Sequence, residues 1–356
     1  MIKKCVSILK KIGLGLIALL VLLACTGVLY QSISTKLEET RYPPPGTLVD
    51  IGGYQLHLHS MGTGGPTVVL DSGMGCIGSD WALVQPEIAK FSQVVSYDRA
   101  GNGWSEKSPL PRTSQVIVEE LHTLLHNAKI PGPYILVGHS FGGINIQLYA
   151  ITYPNEVLGL VLVDSAHEEQ EKKLPVSPWD SQMKLMQGPG IVRCMSTLGI
   201  TRLGLKATSE LMMSSLPKSI QNVHIALCST TKHCCASTAE ARVFSQSLKQ
   251  LEQADRTIIA GKPCFLVSAG SMPKCVPEWG LTEEFVQEGY VAWTDLQADL
   301  ASKFKQCRQV IAENSDHMIL WNQPEVIVRA VQQLVNEMRS HSSFHTTSQT
   351  ERPTHE

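Results

Sequence analysis

The chain has 356 residues, of which 43% are hydrophobic and 17% are charged, and its formal net charge is −2 at pH 7. This composition provides enough apolar material for a large core, and the charge gives no reason to expect a nucleic-acid partner. Zinc-finger spacing, a P-loop and a G-x-G-x-x-G dinucleotide motif are all missing from the sequence.

The N-terminus carries an uncharged apolar run at residues 12–30, preceded by a basic flank at residues 1–11. A helix of this length spans about 28 Å, close to the hydrocarbon thickness of a bilayer. Because the lysines precede the run, the positive-inside rule keeps the flank in the cytoplasm and places the rest of the chain on the non-cytoplasmic side. We therefore predict an uncleaved, single-pass signal anchor. Two alternatives stay open: a lipoprotein signal with the lipid at Cys25, and a cleaved signal peptide that leaves a secreted protein.

Residues 31–46 are polar and end in three prolines and a glycine, which predicts an extended linker. Apolar runs then alternate with helical segments through residues 47–164, the predicted first part of a globular core. Strand and helix at this spacing indicate a mostly parallel, doubly wound sheet, in which ligands bind beyond the carboxyl ends of the strands. The predicted strands in this part are 47–51, 54–60, 67–71, 93–98, 134–137 and 159–164.

The pattern changes at residues 165–255, where prolines and glycines separate helical segments and no clear strand occurs. Residues 256–339 are predicted to return to the core, with strands at 262–269 and 307–312 and a closing amphipathic helix. Residues 340–356 are polar and predicted to be disordered.

Ten cysteines leave the redox compartment open. Cys5 and Cys25 belong to the N-terminal segment, and the other eight could pair if the domain is exported, in a connectivity that the sequence does not specify. His233, Cys234 and Cys235 are consecutive but lack a second ligand pair at zinc spacing, so no metal site is expected.

The stretch YILVGHSFGG, which begins at Tyr134, contains the spacing G-x-S-x-G at Gly138, Ser140 and Gly142. A buried strand precedes this spacing and helix-compatible residues follow it, which is the context of a nucleophile elbow. The glycines have a physical role, because side chains at those positions would clash with the adjacent strand and helix. The strained turn presents the Ser140 hydroxyl at the top of the sheet, near the positive end of the following helix dipole.

This elbow and the turn DRAGNGWS, which begins at Asp98, resemble the serine hydrolases of the α/β-hydrolase superfamily. The resemblance covers residues 47–339. It implies an α/β-hydrolase fold, with a mostly parallel eight-stranded sheet and a helical cap over the active site at residues 165–255. It also implies that Asp98 and Arg99 serve the scaffold.

The same resemblance implies the roles of several residues. Ser140 is the expected nucleophile, and His317, after the last strand, is the expected base. The backbone N–H groups of Met74 and Phe141 are the expected oxyanion hole. Ser72 and Gly73 stand where many relatives have a His-Gly pair.

The acid of the triad is the least determined member. The loop after residues 262–269, where many relatives carry it, has no acidic residue before Glu278. Asp164 ends the strand after the elbow unit, at a site used by some lipases similar to pancreatic lipase. We favour Asp164, with Glu278, Glu283 and Asp295 as the alternatives.

The sequence therefore predicts a membrane-attached serine hydrolase that cleaves small acyl esters, including lipid-like ones, through an acyl-enzyme and without a cofactor. An acyltransferase or a cofactor-free haloperoxidase with the same triad is one alternative. A non-catalytic binding module on this scaffold is another. Relatives with an Asp nucleophile are disfavoured because Ser140 occupies that position. The oligomeric state stays open.

Overall fold

A computed structural model describes residues 2–176, 188–272 and 282–347. Its centre is an eight-stranded sheet in the order β1-β2-β4-β3-β5-β6-β7-β8. Only the β1–β2 and β2–β4 pairs of this sheet are antiparallel. The predicted fold class is confirmed. The strands are β1 (Thr47–Asp50), β2 (Gln55–Met61), β3 (Thr67–Asp71), β4 (Val94–Tyr97), β5 (Tyr134–His139), β6 (Val157–Val163), β7 (Cys264–Ala269) and β8 (Cys307–Ala312).

Helices cover both faces of the sheet and form a separate layer between β6 and β7. The strands in the middle of the sheet are buried throughout, because their continuous apolar runs contact a helical layer on each side. The helices are α1 (Ile2–Arg41), α2 (Gln85–Ile88), α3 (Ser114–Asn127), α4 (Phe141–Thr152), α5 (Gln170–Lys173), α6 (Pro189–Thr197), α7 (Ile200–Met212), α8 (Lys218–Cys228), α9 (Thr231–Arg242), α10 (Phe244–Gln253), α11 (Glu283–Ser302), α12 (Ile319–Asn322) and α13 (Pro324–Thr347).

The sheet separates the two largest hydrophobic clusters of the core. On one face, α13 and α2 pack through side chains such as Val331 and Ile88. On the other face, α3 and α4 pack through side chains such as Leu124 and Ile146. Full burial of each such aliphatic side chain contributes roughly 1.5–3 kcal/mol of transfer free energy. This packing holds the carboxyl ends of β5, β6 and β7 rigidly at one edge.

The predicted linker at residues 31–46 is wrong over most of its length. α1 continues as a helix to Arg41, and only residues 42–46 link it to β1. Polar contacts to the domain account for the difference, since the Gln31 amide donates to the Ser229 carbonyl and accepts from the buried Arg202 guanidinium. A polar helix that would be marginal alone is thereby stabilised by tertiary packing.

The predicted disordered tail at residues 340–356 is also wrong at its start, because α13 continues to Thr347. The residues beyond that point lie outside the described part of the chain. In the described ranges, all nine cysteines are free thiols.

Candidate active site

Ser140 lies in the sharp turn between β5 and α4. Its backbone has φ 52° and ψ −118°, a left-handed conformation that strains a residue with a side chain. The close packing around the turn requires glycine at Gly142, where a Cβ atom would lie 2.3 Å from the Asp71 carbonyl oxygen. The Ser140 N–H donates to the Val163 carbonyl at 3.0 Å, and the Ser140 carbonyl accepts from the Ala166 N–H at 3.0 Å. The turn is therefore fixed directly against the end of β6.

Asp164 follows β6 and pairs with His317. Its Oδ2 atom lies 2.6 Å from His317 Nδ1. Its Oδ1 atom accepts from the Ala269 N–H and from the Trp293 indole N–H, both at 3.0 Å. Asp164 is buried, whereas the His317 side chain is 40% exposed. The Asp164 carboxylate is thus held by three donors, the His317 ring among them, and the His317 ring is partly exposed to solvent.

The pair also shifts the proton equilibria of both side chains. Burial alone would raise the pKa of Asp164, but the hydrogen bond and positive charge offered by His317, with two further N–H donors, lower that pKa below its usual value. Burial alone would lower the pKa of His317, but the hydrogen bond and negative charge of Asp164 raise it above its usual value. An ionised carboxylate therefore faces an imidazole that readily accepts a second proton.

His139 connects the elbow to the His317 loop. Its ring centroid lies 4.7 Å from that of His317, and its Nε2 atom is 2.9 Å from the His317 carbonyl oxygen. A carbonyl only accepts, so Nε2 carries the proton of the neutral ring. Burial, followed by the neighbouring His317, lowers the pKa of His139 to about 3. His139 is therefore a neutral packing residue. In the described residues, no hydrogen bond joins Ser140 to His317.

The loop after β3 lies beside the elbow and is held by Arg99. The guanidinium of Arg99 donates to the Asp71 carboxylate at 2.7 Å and to the carbonyl oxygens of Ser72 and Gly73. Arg99 also pairs with the buried carboxylate of Glu240, on cap helix α9, at 2.8 Å. The scaffold role expected for Arg99 thus includes shaping the loop that was predicted to supply an oxyanion donor.

Glu240 extends this network to the next residue of the loop. Its carboxylate accepts from the Gly75 N–H at 3.0 Å and from the Asn102 amide at 2.9 Å. Burial would raise the pKa of Glu240, but the charge of Arg99 lowers it below its usual value, so the group stays ionised. One buried carboxylate therefore fixes the cap to the loop.

The backbone N–H groups of Met74 and Phe141 lie at the start of the loop after β3 and at the start of α4. Neither donates to an acceptor in the parts of the chain that the structure describes. Phe141 begins α4. The first N–H groups of a helix lack intrahelical acceptors, and they form the positive end of the helix dipole. Both groups are thus free to donate to a bound anion.

Of the predicted acids, Asp164 is the one that hydrogen-bonds His317 in the part of the chain that the structure describes. Glu278 lies outside the described residues. Glu283 and Asp295 lie on α11 and, within the described ranges, make no hydrogen bond to His317. Two residues near the site were not predicted from the sequence. Trp293 lies on α11 and donates to Asp164, and Glu240 lies on cap helix α9 and pairs with Arg99. Glu240 has no local sequence motif, so its role becomes visible only through its contact with the distant Arg99.

A cluster of histidine and carboxylate side chains lies between α5 and α11. Ligand atoms of His167, Glu169 and Asp299 lie within 4.8 Å of one another. Two lysines already pair with the carboxylates of this cluster: Lys303 Nζ lies 3.0 Å from an Asp299 oxygen, and Lys173 Nζ lies 2.8 Å from a Glu169 oxygen. The cluster therefore functions as an ion-pair network that joins α5 to α11.

Comparisons with known proteins agree with this architecture. The model of the alpha/beta hydrolase fold family matches residues 66–186. The uncharacterized protein YqjL of Bacillus subtilis is 27% identical over 283 residues, 79% of this chain and 88% of that protein. The 2-hydroxymuconate semialdehyde hydrolase of Pseudomonas sp. CF600 is 35% identical over 127 residues, 35% of this chain and 44% of that enzyme.

Among solved structures, a thermophilic esterase from Thermogutta terrifontis is similar with a TM-score of 0.56 and 19% identity. The alignment covers 82% of this chain and 98% of the esterase. By its sheet order and by the family match over residues 66–186, this chain has the alpha/beta hydrolase fold.

Proposed function

We propose that this protein is a serine hydrolase that cleaves carboxylic esters through an acyl-enzyme. The hydrogen-bonded pair of His317 and Asp164, positioned beside the strained turn of Ser140, is the observation that carries the proposal. The three side chains occur in the chain order nucleophile, acid, base. Activation of a serine at neutral pH requires a neutral histidine as the base. The carboxylate of Asp164 makes His317 a better base by stabilising its protonated form.

In the proposed mechanism, Ser140 Oγ attacks the acyl carbonyl while His317 Nε2 takes its proton. The new C–O bond forms a tetrahedral oxyanion, and Asp164 stabilises the imidazolium. His317 then gives the proton to the leaving alcohol, and the acyl group stays on Ser140. Water, deprotonated by His317, releases the acid and restores the serine.

The oxyanion is stabilised by the N–H groups of Met74 and Phe141. Backbone donors are fixed before charge develops, so they require no reorganisation during the reaction. Arg99 and Glu240 contribute indirectly, because they hold residues 72–75 against the elbow. The absence of a direct Ser140–His317 hydrogen bond is compatible with this mechanism, since such bonds often tighten only when substrate binds.

An ester substrate with an apolar acyl group is the best match to the surroundings of the site. Met74 and Phe141 pack in an apolar cluster with cap residues Phe244 and Leu248. A similar solved structure is that of an esterase, and one relative is the hydrolase of a semialdehyde. The serine at the elbow disfavours the chemistry of relatives that use an aspartate nucleophile.

The enzyme is attached to a membrane by α1 in this proposal. The helix is long and apolar enough to span a bilayer, with a mean hydropathy of 2.7 in a window of which no residue is buried. Lys4, Lys10 and Lys11 precede the apolar run, so the catalytic domain lies on the non-cytoplasmic side.

Turnover of p-nitrophenyl esters of graded chain length by the full chain in detergent tests the proposal. Wild type should hydrolyse at least one member of the series with a pre-steady-state burst, and Ser140→Ala should lose at least about 10⁴-fold in kcat. Folded wild-type protein that turns over no ester, or an Ser140→Ala variant with unchanged kcat, would refute it. Ser165→Ala, a neighbouring buried serine, is the matched control and should retain activity.

A further inference from the structure

Cap helix α7 exposes an apolar stripe. Ile200, Leu203 and Leu211 are 46%, 56% and 52% exposed, and Ala207 lies between them on the same helical face. The opposite face holds the buried Arg202, so the helix is amphipathic with its apolar side outward. An outward apolar stripe of this kind on a domain surface marks an interaction site.

The stripe begins where the cap touches α1. The contact is close enough to require glycine on both sides: a Cβ atom on Gly27 would lie 2.5 Å from the Leu198 carbonyl oxygen, and one on Gly199 would lie 2.9 Å from the Tyr30 ring. Further along α1 towards its C-terminal end, the Arg202 guanidinium donates to the Gln31 amide oxygen at 2.9 Å and pairs with Glu38. The start of α7 is therefore fixed against one defined level of α1.

That level lies within the apolar run of α1. Gly27 is 15 residues beyond Ile12, where the run starts, which corresponds to about 23 Å of helix. The hydrocarbon core of a bilayer is about 30 Å thick. If α1 spans the membrane as proposed above, with Ile12 at the inner boundary, residues 198–200 therefore lie in the outer part of the hydrocarbon, about 7 Å inside its outer boundary. Helix α7 begins at this depth with its apolar stripe uncovered.

We propose that the exposed face of α7 lies in the interfacial region of the bilayer, so that the cap is docked on the lipid surface. This inference rests on the proposed membrane attachment. The neighbouring side chains suit a headgroup environment, since the Lys206 ammonium lies 3.3 Å from the Tyr30 hydroxyl and Arg193 on α6 is exposed. Tyrosine and snorkelling basic side chains are typical of this depth.

Photo-crosslinking of the full chain tests the docking. A diazirine amino acid replaces, one at a time, Leu203 on the stripe, Leu19 in the middle of the apolar run, and Ile258. Ile258 is the matched control, because it is 43% exposed and lies before β7, at the edge of the sheet opposite the cap. Each protein is reconstituted in vesicles of phosphatidylcholine and phosphatidylglycerol, irradiated, and analysed by mass spectrometry for lipid adducts. Turnover of a soluble ester verifies that each variant is folded.

Lipid adducts are expected at positions 19 and 203, with none above background at 258. Adducts at 19 without adducts at 203 would overturn the docking and leave the anchor in place. Lack of adducts at 19 would overturn the anchor and the docking together. Equal adducts at 203 and 258 would also overturn the docking, because they would show non-specific contact with lipid.

Discussion

Asp164→Asn is expected to abolish most activity by trapping the wrong tautomer of His317. Asp164 Oδ1 accepts from the Ala269 N–H and the Trp293 indole N–H. In the variant these two donors should hold the amide oxygen at that position, so that the amide nitrogen faces His317 Nδ1. Two N–H groups cannot face each other, so Nδ1 must lose its proton and Nε2 must carry it. A protonated Nε2 cannot accept the proton of Ser140.

The size of the effect follows from this geometry. The positions of the three side chains are preserved, but His317 is held in the wrong tautomer. In such a case kcat falls by about 10⁴-fold. That factor equals about 5.4 kcal/mol of lost transition-state stabilisation. KM should change little, because Asp164 is buried behind His317 and contacts no substrate.

The assay is hydrolysis of p-nitrophenyl butyrate by wild type, Asp164→Asn and Asp316→Asn in detergent. Asp316 is the matched control, because it adjoins His317 in sequence but accepts from the Met318 N–H and the Asn322 amide. Its asparagine variant keeps both bonds and should stay within about tenfold of wild type. An Asp164→Asn variant with near-normal kcat would refute the tautomer argument and move the acid elsewhere.

Three further outcomes are expected. Because the pKa of His317 is raised, kcat/KM should rise with pH through one ionisation above about 6.5, as the ring loses its second proton; a flat pH profile would contradict this. Glu240→Ala leaves the Arg99 charge poorly paired, so urea denaturation should show a loss of about 3–5 kcal/mol, with a smaller loss for Glu240→Gln. Gly142→Ala forces a Cβ atom to 2.3 Å from the Asp71 carbonyl, so fluorophosphonate labelling should slow sharply, whereas Gly261→Ala, in open space, should label normally.

The sheet was predictable because its strands are short, continuous apolar runs that end in turns. The run at Tyr134 and the run that ends in TVVLD at Asp71 read as strands without any partner in view, and both are buried strands of the sheet. Local chemistry also located the elbow, since Gly138 and Gly142, on either side of Ser140, leave no room for a side chain. The sequence patterns that reveal these features lie within a few consecutive residues.

Features that depend on distant partners were mispredicted or missed. The polar segment after Tyr30 has the composition of a linker, yet it is helical because Arg202, far along the chain, binds it. Glu240 has no local motif, and its contact with Arg99 joins residues 141 positions apart. Asp164 could be favoured from its place at the end of a strand but not assigned, because its hydrogen bond to His317 joins residues 153 positions apart.

The most direct measurement is the site of covalent modification by a fluorophosphonate probe. Full-length protein in detergent is treated with the probe, digested, and analysed by mass spectrometry. One adduct is expected, on the peptide that contains Ser140, and labelling should be lost in Ser140→Ala. Folded protein that carries no adduct at Ser140, or equal labelling of the Ser140→Ala variant, would contradict the assignment of this serine as the nucleophile.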